Sequence, residues 1–270
     1  VEKLRITGGE PLLRKDLSLL IKDLKSILGI KEIALTTNGF FLNKYALDLK
    51  QSGVDRLTVS LDSLNPETYK KLNGQNLDIK KTLEGIEFAQ SIGFENIKIN
   101  CVVMKGINEE QIIDLVNFGR DNNLIIRFIE YMDVGTINGW KSDDVVYAED
   151  ILSIIEKKYE LKPVDPNYFG EVATRYKFID GVGEIGIISS VSKPFCSDCT
   201  RARITADGNL YTCLFTNKGH DLKSVIRKRS YKNLEDFIRK IWIGRSDQYS
   251  QLRALGKTDK EKVEMYKIGG

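Results

Sequence analysis

The stretch Val1-Glu2-Lys3-Leu4-Arg5-Ile6-Thr7-Gly8-Gly9-Glu10-Pro11 reads as one strand running into a glycine loop. Successive side chains of a strand point to opposite faces. Lys3, Arg5 and Thr7 therefore share one face, and Leu4 and Ile6 the other. Three later segments repeat the pattern. Ala34 and Thr36 oppose Ile33 and Leu35. Thr58 and Ser60 oppose Leu57, Val59 and Leu61. Lys98 and Asn100 oppose Ile97, Ile99, Cys101 and Val103. An open sheet covered by helices on both faces gives nearly continuous apolar strands instead. One apolar and one polar face per strand predicts a barrel wall around a wet lumen. The cations Lys3, Arg5 and Lys98 on the inner face predict an anionic ligand there.

Between these strands the apolar residues fall at helical spacing. Helices are predicted over Asp16–Leu28, with Asp16 as cap, over Asn43–Gln51, over Asp78–Ser91, with Asp78 as cap, and over Glu109–Asp121. A fifth strand is predicted over Leu124–Met132. Repeated strand–helix units argue for a parallel sheet or barrel with right-handed crossovers. A barrel wall wants six or more strands, and the chain opens directly into one, so a further strand is expected upstream of Val1. After Met132 the pattern changes. A polar loop, Asp133–Asp144, precedes a helix over Tyr147–Tyr159. Val172–Phe178 and Glu184–Ser189 alternate like antiparallel strands, Leu222–Trp242 is a basic helical region, and Ile268-Gly269-Gly270 closes the sequence.

The chain has 270 residues, 41% of them hydrophobic, enough for one large α/β domain with a sizeable core. Its 41 basic and 38 acidic residues leave a net charge of +3, too balanced to imply nucleic acid or an anionic membrane. No apolar run is long enough to span a bilayer, and no signal peptide is expected before the first strand. The expected context is soluble, reducing and cytoplasmic.

Three of the four cysteines lie between Phe195 and Phe215, in FCSDCTRARITADGNLYTCLF. Cys196 and Cys199 form a C-x-x-C, whose tight turn points both sulfurs one way. Ala202–Thr205 and Asn209–Thr212 are strand-like around Ala206-Asp207-Gly208, so a hairpin returns Cys213 to the pair. Such a three-point mount suits a structural Cys₃His zinc site with His220, the single histidine, or a [4Fe–4S] cluster with one iron open to a small molecule. Arg201 and Arg203 share a face beside the mount and point to a bound anion. Cys101 stands alone on the helix-facing side of its strand.

The carboxyl ends of barrel strands carry chemistry. Here they read Gly8-Gly9-Glu10-Pro11, Thr36-Thr37-Asn38-Gly39, Ser60-Leu61-Asp62 and Met132-Asp133. Paired glycines let a backbone approach a ligand, and a short hydroxyl such as Ser60 can bond a ribose or carboxylate. In this order, with CSDCTRARITADGNLYTC and the terminal Gly269-Gly270, these motifs resemble the radical S-adenosylmethionine (SAM) superfamily. Within it they resemble the GTP 3′,8-cyclase family of molybdenum-cofactor biosynthesis, over essentially the whole chain.

The resemblance implies an α/β fold: an incomplete (β/α)6 TIM-type barrel over residues 1–160, with a C-terminal iron–sulfur cluster and substrate-binding region over 161–270. It implies an enzyme in which one [4Fe–4S] cluster cleaves SAM to a 5′-deoxyadenosyl radical that takes the ribose 3′ hydrogen of GTP. The sugar then closes onto C8 of guanine, giving (8S)-3′,8-cyclo-7,8-dihydroguanosine 5′-triphosphate. Carried over by motif, Cys196, Cys199 and Cys213 hold a second [4Fe–4S] cluster, which takes the purine. Gly9, Ser60 and Met132 contact SAM. Arg5, Thr36, Lys98, Arg127, Arg201, Ala202 and Arg203 hold GTP, and His220 becomes an ordinary loop residue. No catalytic residue is assigned. An electron donor and a downstream cyclic pyranopterin synthase are the implied partners. Strict alternation sets Arg127 and Met132 on opposite faces, so a bulge or a main-chain contact from Met132 is needed to bring both to one pocket.

The family's first cluster sits on a C-x-x-x-C-x-x-C loop, which does not occur in these 270 residues. The expectation is that this chain is a piece of an active cyclase, unable by itself to cleave SAM. A side-chain-free tail at Gly269-Gly270 is expected to thread into the barrel cavity.

Overall fold

Each of the five predicted parallel strands forms, and their alternation sets the wall. The computed structural model describes residues 1–74, 77–194, 196, 199–228, 231–249 and 262–269. β1 (Lys3–Ile6), β2 (Glu32–Thr37), β3 (Arg56–Ser60), β4 (Lys98–Val103) and β5 (Ile125–Glu130) pair in parallel, each with the next. Helices α1 (Leu17–Ser26), α2 (Leu42–Ser52), α3 (Pro66–Asn73), α4 (Ile79–Ser91) and α5 (Ile112–Asp121) lie in the connections. The apolar strand faces meet them in one core that contains Ile33, Leu35, Leu57, Val59, Ile99, Val103 and Phe128. Cys101 is buried in this core, on the helix side as read.

Local chemistry explains most helix ends. Asp78 accepts from the Lys80 amide and caps α4. Asp16 does not cap α1: its backbone is left-handed, at φ +55°, and its side chain makes no capping bond. The 3-10 turn Glu109–Gln111 precedes α5, so the predicted helix begins later. α3 escaped the sequence reading although its signals are local. Asn65 accepts from the Glu67 and Thr68 amides, Pro66 opens the helix, and Gly74 closes it at φ +64°.

The second half adds to the same sheet. β6 (Leu161–Val164), β7 (Thr174–Phe178) and β8 (Glu184–Ile188) follow α6 (Ala148–Glu156). The strand order is β1-β2-β3-β4-β5-β8-β7-β6. β7 and β8 are antiparallel to each other as read, but β8 also pairs in parallel with β5. It is the sixth parallel strand among the described residues. Its lack of a helical crossover from β7 hid it from a pattern search built on strand–helix units. The sheet thus continues past residue 160. Arg120 of α5 clamps the β7–β8 turn, bonding the Val182 carbonyl and pairing with Asp180 while stacking on Tyr159 and Phe178.

A separate three-stranded sheet holds the cysteine hairpin: β9 (Arg203–Ile204), β10 (Asn209–Tyr211) and β11 (His220–Asp221), all antiparallel. The turn between β9 and β10 closes as its residues require. Gly208 has φ +80° and donates to the Thr205 carbonyl, and the Thr205 hydroxyl accepts the Asn209 amide. Phe195 falls outside the described residues. The basic region is two helices, α7 (Leu222–Arg227) and α8 (Tyr231–Ile243). Among the described residues no helix is long and apolar enough to cross a membrane.

Candidate functional site

Strand register places the inner-face residues in staggered rows. Arg5 lies beside Ala34 and Ala34 beside Arg56. Thr36 lies beside Thr58 and Thr58 beside Lys98. Ser60 lies beside Asn100, Asn100 beside Arg127, and Arg127 beside Gly186. The rows bring residues from six strands to one concave surface.

The cations on it lean on short polar side chains. Arg5 donates to the Thr36 hydroxyl at 2.8 Å and to Thr58 at 3.4 Å. Arg127 donates from Nε to Asn100 Oδ1 at 2.9 Å. A Cβ on Gly186 would sit 3.2 Å from Arg127 Cγ, so a glycine there leaves room for the stem. Arg5 stays in contact with solvent, as an open hollow allows, yet protein surrounds it. Burial and then the Arg56 charge lower its pKa. Burial and then Arg5 bring Arg127 down to about 10. Burial, then Arg127 and Arg56, bring Lys98 down to about 8. Arg201 also acts on Arg5. Like charges crowded on one surface are costly, and an anion placed among them would offset that cost.

Two lumen members were missed. Arg56 lies two residues before Thr58 and so shares its face, where it pairs with Glu32; the alternation alone could have found it. Tyr168 acts on both Arg5 and Arg127, and Lys3 Nζ lies 3.8 Å from its ring centre. Nothing local in the sequence marks it, because it comes from the loop between β6 and β7.

At the carboxyl ends of the strands, Glu10 links two of the loops. Its carboxylate accepts from Thr37 Oγ1 at 2.7 Å and from the Asn38 amide at 2.9 Å. A Cβ on Gly9 would meet no atom within 4 Å, so the glycine pair faces open space. Ser60 and Asp62 line a cavity of about 220 Å³ with Asn38, Tyr69, Leu72, Asn73 and Leu77. Burial raises Asp62 to about 6, against the Val102 amide that donates to it at 2.8 Å.

Met132 resolves the facing problem without a bulge. β5 ends at Glu130, so alternation no longer governs residue 132. Met132 packs against a small cluster of Ile129, Ala173 and Ile188, and Ile129 shares the Arg127 face. The next residue, Asp133, accepts from Tyr249 at 2.7 Å and from Lys262 at 2.5 Å. Burial disfavours the charged Lys262, but Asp133 and Tyr249 outweigh it and raise its pKa. Glu264 caps the loop that follows, accepting from the Thr136 amide at 2.8 Å and the Ile137 amide at 3.3 Å.

The cysteine mount adjoins the cations. Cys199 donates its amide to the Cys196 carbonyl at 3.3 Å, closing the C-x-x-C turn. Arg201 donates to Cys199 Sγ at 3.2 Å, and Arg245 to the Cys199 carbonyl at 2.7 Å. Burial opposes ionisation of Cys199, but the Arg201 charge leads the groups that bring the thiol down to about 7. Burial raises Cys213, which also feels Cys196, while Arg203 feels both Cys199 and Cys213. Arg245 was not singled out in the sequence because it arrives from beyond α8. His220 is exposed on β11, opposite Leu210. Among the described residues no group of three or more His, Cys, Asp or Glu side chains is placed to hold a single metal ion. Thiolates on one tetrahedral ion lie only about 3.8 Å apart, whereas the cysteines of an iron–sulfur cluster each hold a separate iron. Three neighbouring thiols beside guanidinium groups fit the donor set of such a cluster.

Gly269 reaches the same place. Its oxygen accepts from Arg203 Nε at 3.2 Å, and a Cβ there would sit 2.6 Å from Thr7 Cγ2. Gly270 lies outside the described residues.

Two family models and several relatives match this chain. Residues 1–119 match the model of the Radical SAM superfamily, and residues 124–251 that of Molybdenum Cofactor Synthesis C. GTP 3′,8-cyclase of Xanthomonas campestris pv. campestris (strain B100) is 48% identical over 270 residues, covering 100% of this chain and 79% of that protein. GTP 3′,8-cyclase of Aquifex aeolicus (strain VF5) is 46% identical, covering 100% and 81%. Among solved structures, Streptococcus suis SuiB bound to S-adenosylmethionine superposes with a TM-score of 0.59 at 16% identity, over 93% of this chain and 56% of that one. That likeness is one of fold, and supports the partial TIM-type barrel. By identity along its whole length, the chain belongs to the GTP 3′,8-cyclase family of the radical SAM superfamily.

Proposed function

We propose that this chain is the GTP-holding barrel and second-cluster part of a radical SAM GTP 3′,8-cyclase of molybdenum-cofactor biosynthesis, with GTP in the lumen and SAM at the carboxyl ends of the strands. The SAM-cleaving cluster belongs to a C-x-x-x-C-x-x-C loop that these 270 residues do not contain. The observation that carries the reading is the convergence of Arg5, Lys98, Arg127, Arg201 and Arg203 on one hollow that the cysteine mount adjoins. A triphosphate adds counter-charge to what Glu32, Glu171 and Glu184 supply around these cations. When bound, SAM and [4Fe–4S] clusters supply the radical that opens the substrate's ribose C–H bond.

The chain's own residues bind, orient and shield. Cys196, Cys199 and Cys213 would hold the second cluster, with Arg201 and Arg245 favouring the thiolate form of Cys199. Gly9 offers open backbone, Ser60 a hydroxyl and Met132 a main-chain edge to SAM. Asp62, in the Ser60 cavity, is positioned to accept from ribose hydroxyls. Arg5, Lys98 and Arg127 take the phosphates, with Thr36 orienting Arg5. Arg201, Ala202 and Arg203 present the cluster side of the nucleotide site. Residues 1–160, extended by β6 to β8, act as the barrel part, and the rest of 161–270 as the cluster and substrate part. An electron donor reduces the enzyme, its product passes to a cyclic pyranopterin synthase, and the place of action is the cytoplasm.

The test is binding and iron content on the same preparation. After anaerobic reconstitution the chain should hold about four iron per cluster formed and be brown. It should bind GTP at least tenfold more tightly than ATP, and R127A should weaken GTP binding by tenfold or more. Stoichiometric zinc with equal GTP and ATP affinities would overturn the reading.

A further inference from the structure

Glu130, at the end of β5, is fully buried, yet among the described residues no cation pairs with it, and neither the nucleotide surface nor the cysteine mount includes it. Its carboxyl oxygens instead accept four hydrogen bonds. Oε1 accepts from the Ala148 amide at 2.8 Å, at the start of α6, and from the Ser192 hydroxyl. Oε2 accepts from the Val191 amide at 2.6 Å and the Ser192 amide at 2.8 Å. The main-chain oxygen of Glu130 takes a further bond from Ser190 Oγ at 3.2 Å. Three consecutive residues, 190 to 192, are thus fastened to one side chain and its backbone.

Those residues are where the chain leaves β8, and Cys196 comes four positions after Ser192. Glu130 also ends β5, two positions before Met132. A buried acidic side chain that satisfies several backbone donors holds a loop in one conformation, because each donor would otherwise be stranded away from water. Glutamine cannot replace it. One oxygen becomes an amino group that faces donors. We propose that Glu130 is a positioning residue that fixes the start of the cysteine loop against the barrel, and so sets where Cys196 and Cys199 stand relative to the Met132 loop. The inference rests on the reading of Cys196 and Cys199 as cluster ligands.

Hydrogen exchange and iron content on the whole 270-residue chain test it. In E130Q, amide exchange across 189–200 should rise at least tenfold, while exchange in β1 to β4 and the far-ultraviolet circular dichroism stay at the parental level. Iron retained after anaerobic reconstitution should fall by half or more. Unchanged exchange in 189–200, a rise spread evenly over the barrel, or loosening with full iron content would each overturn the proposal. If E130Q does not fold, S192A decides: a rise of threefold or more confined to the same segment supports it, and parental exchange overturns it. A parental chain that takes up no iron, with loosening still confined to 189–200 in E130Q, would sink the cluster reading while leaving the loop anchor in place.

Discussion

Arg203 donates from Nε to the main-chain oxygen of Gly269 at 3.2 Å, across 66 residues of chain. The contact brings the tail to the cysteine hairpin and to the end of β1 together. Gly269 has φ +71°, and an added Cβ would lie 2.6 Å from Thr7 Cγ2 and 3.4 Å from the Gly8 amide.

The tail should therefore leave its seat when Gly269 gains a methyl group. With φ +71° and ψ 120° the backbone lies outside the left-handed helical region and costs an L-residue about 1–3 kcal/mol, and the contact with Thr7 adds to it. G269A should be trimmed by carboxypeptidase at least tenfold faster than the parent, and R203A several-fold faster. Equal trimming rates would show that the tail is not held there.

The tail has a second fastening at Lys262, whose ammonium pairs with Asp133 at 2.5 Å with side chains 12% and 7% exposed. Removing one partner of a buried pair costs about 3–5 kcal/mol when the other stays buried. Here the segment can detach instead, and Tyr249 remains as a donor to Asp133. K262M should leave the urea midpoint of the barrel unchanged while making the tail susceptible to carboxypeptidase. A large loss of barrel stability would show that the pair supports the core.

Lys98 makes nucleotide affinity depend on pH. Its folded pKa of about 8 lies below the ordinary 10.5, because burial and then Arg127 disfavour the charge. Phosphate oxygens favour it, so binding raises that pKa. Triphosphate affinity should hold steady below about pH 7 and fall as pH rises through 8, by up to about tenfold per unit. Between about 8 and 10.5 the unfolded chain holds the proton and the folded chain does not, so the ligand-free protein gains stability over that window. K98M should flatten both dependences. Calorimetric titration at pH 7, 8 and 9 at constant ionic strength checks the first, and urea midpoints check the second.

Asp62 works in the opposite direction. Its pKa is raised from 3.8 to about 6 by burial. Below 3.8 both states hold the proton. Between 3.8 and about 6 only the folded state does, so stability falls as pH rises through that window and levels off above it. Two pH units correspond to about 3 kcal/mol. D62N keeps an acceptor for the Val102 amide and removes the titration. Its stability relative to the parent should climb by up to about 3 kcal/mol from pH 4 to pH 7. Parallel urea midpoints for the two proteins across that range would refute the assignment.

The strand alternation in residues 1 to 103 was enough to turn Arg5 and Lys98 inward, because side-chain period along a strand is local geometry. Loop chemistry was equally local, as Asp78, Gly208 and the C-x-x-C turn show. Tertiary structure alone decided the rest. Strand stagger, not sequence spacing, put Thr36 and Thr58 under the Arg5 guanidinium. The end of β5 at Glu130 freed Met132 from alternation. Tyr168, Arg245 and Lys262 joined the site from regions with no periodic signal, and β8, legible as a strand from its alternation, took its parallel place beside β5 only in the fold. What brings them there is pairing and hydrogen bonding across long stretches of chain, and such contacts form only once the wall they lean on exists.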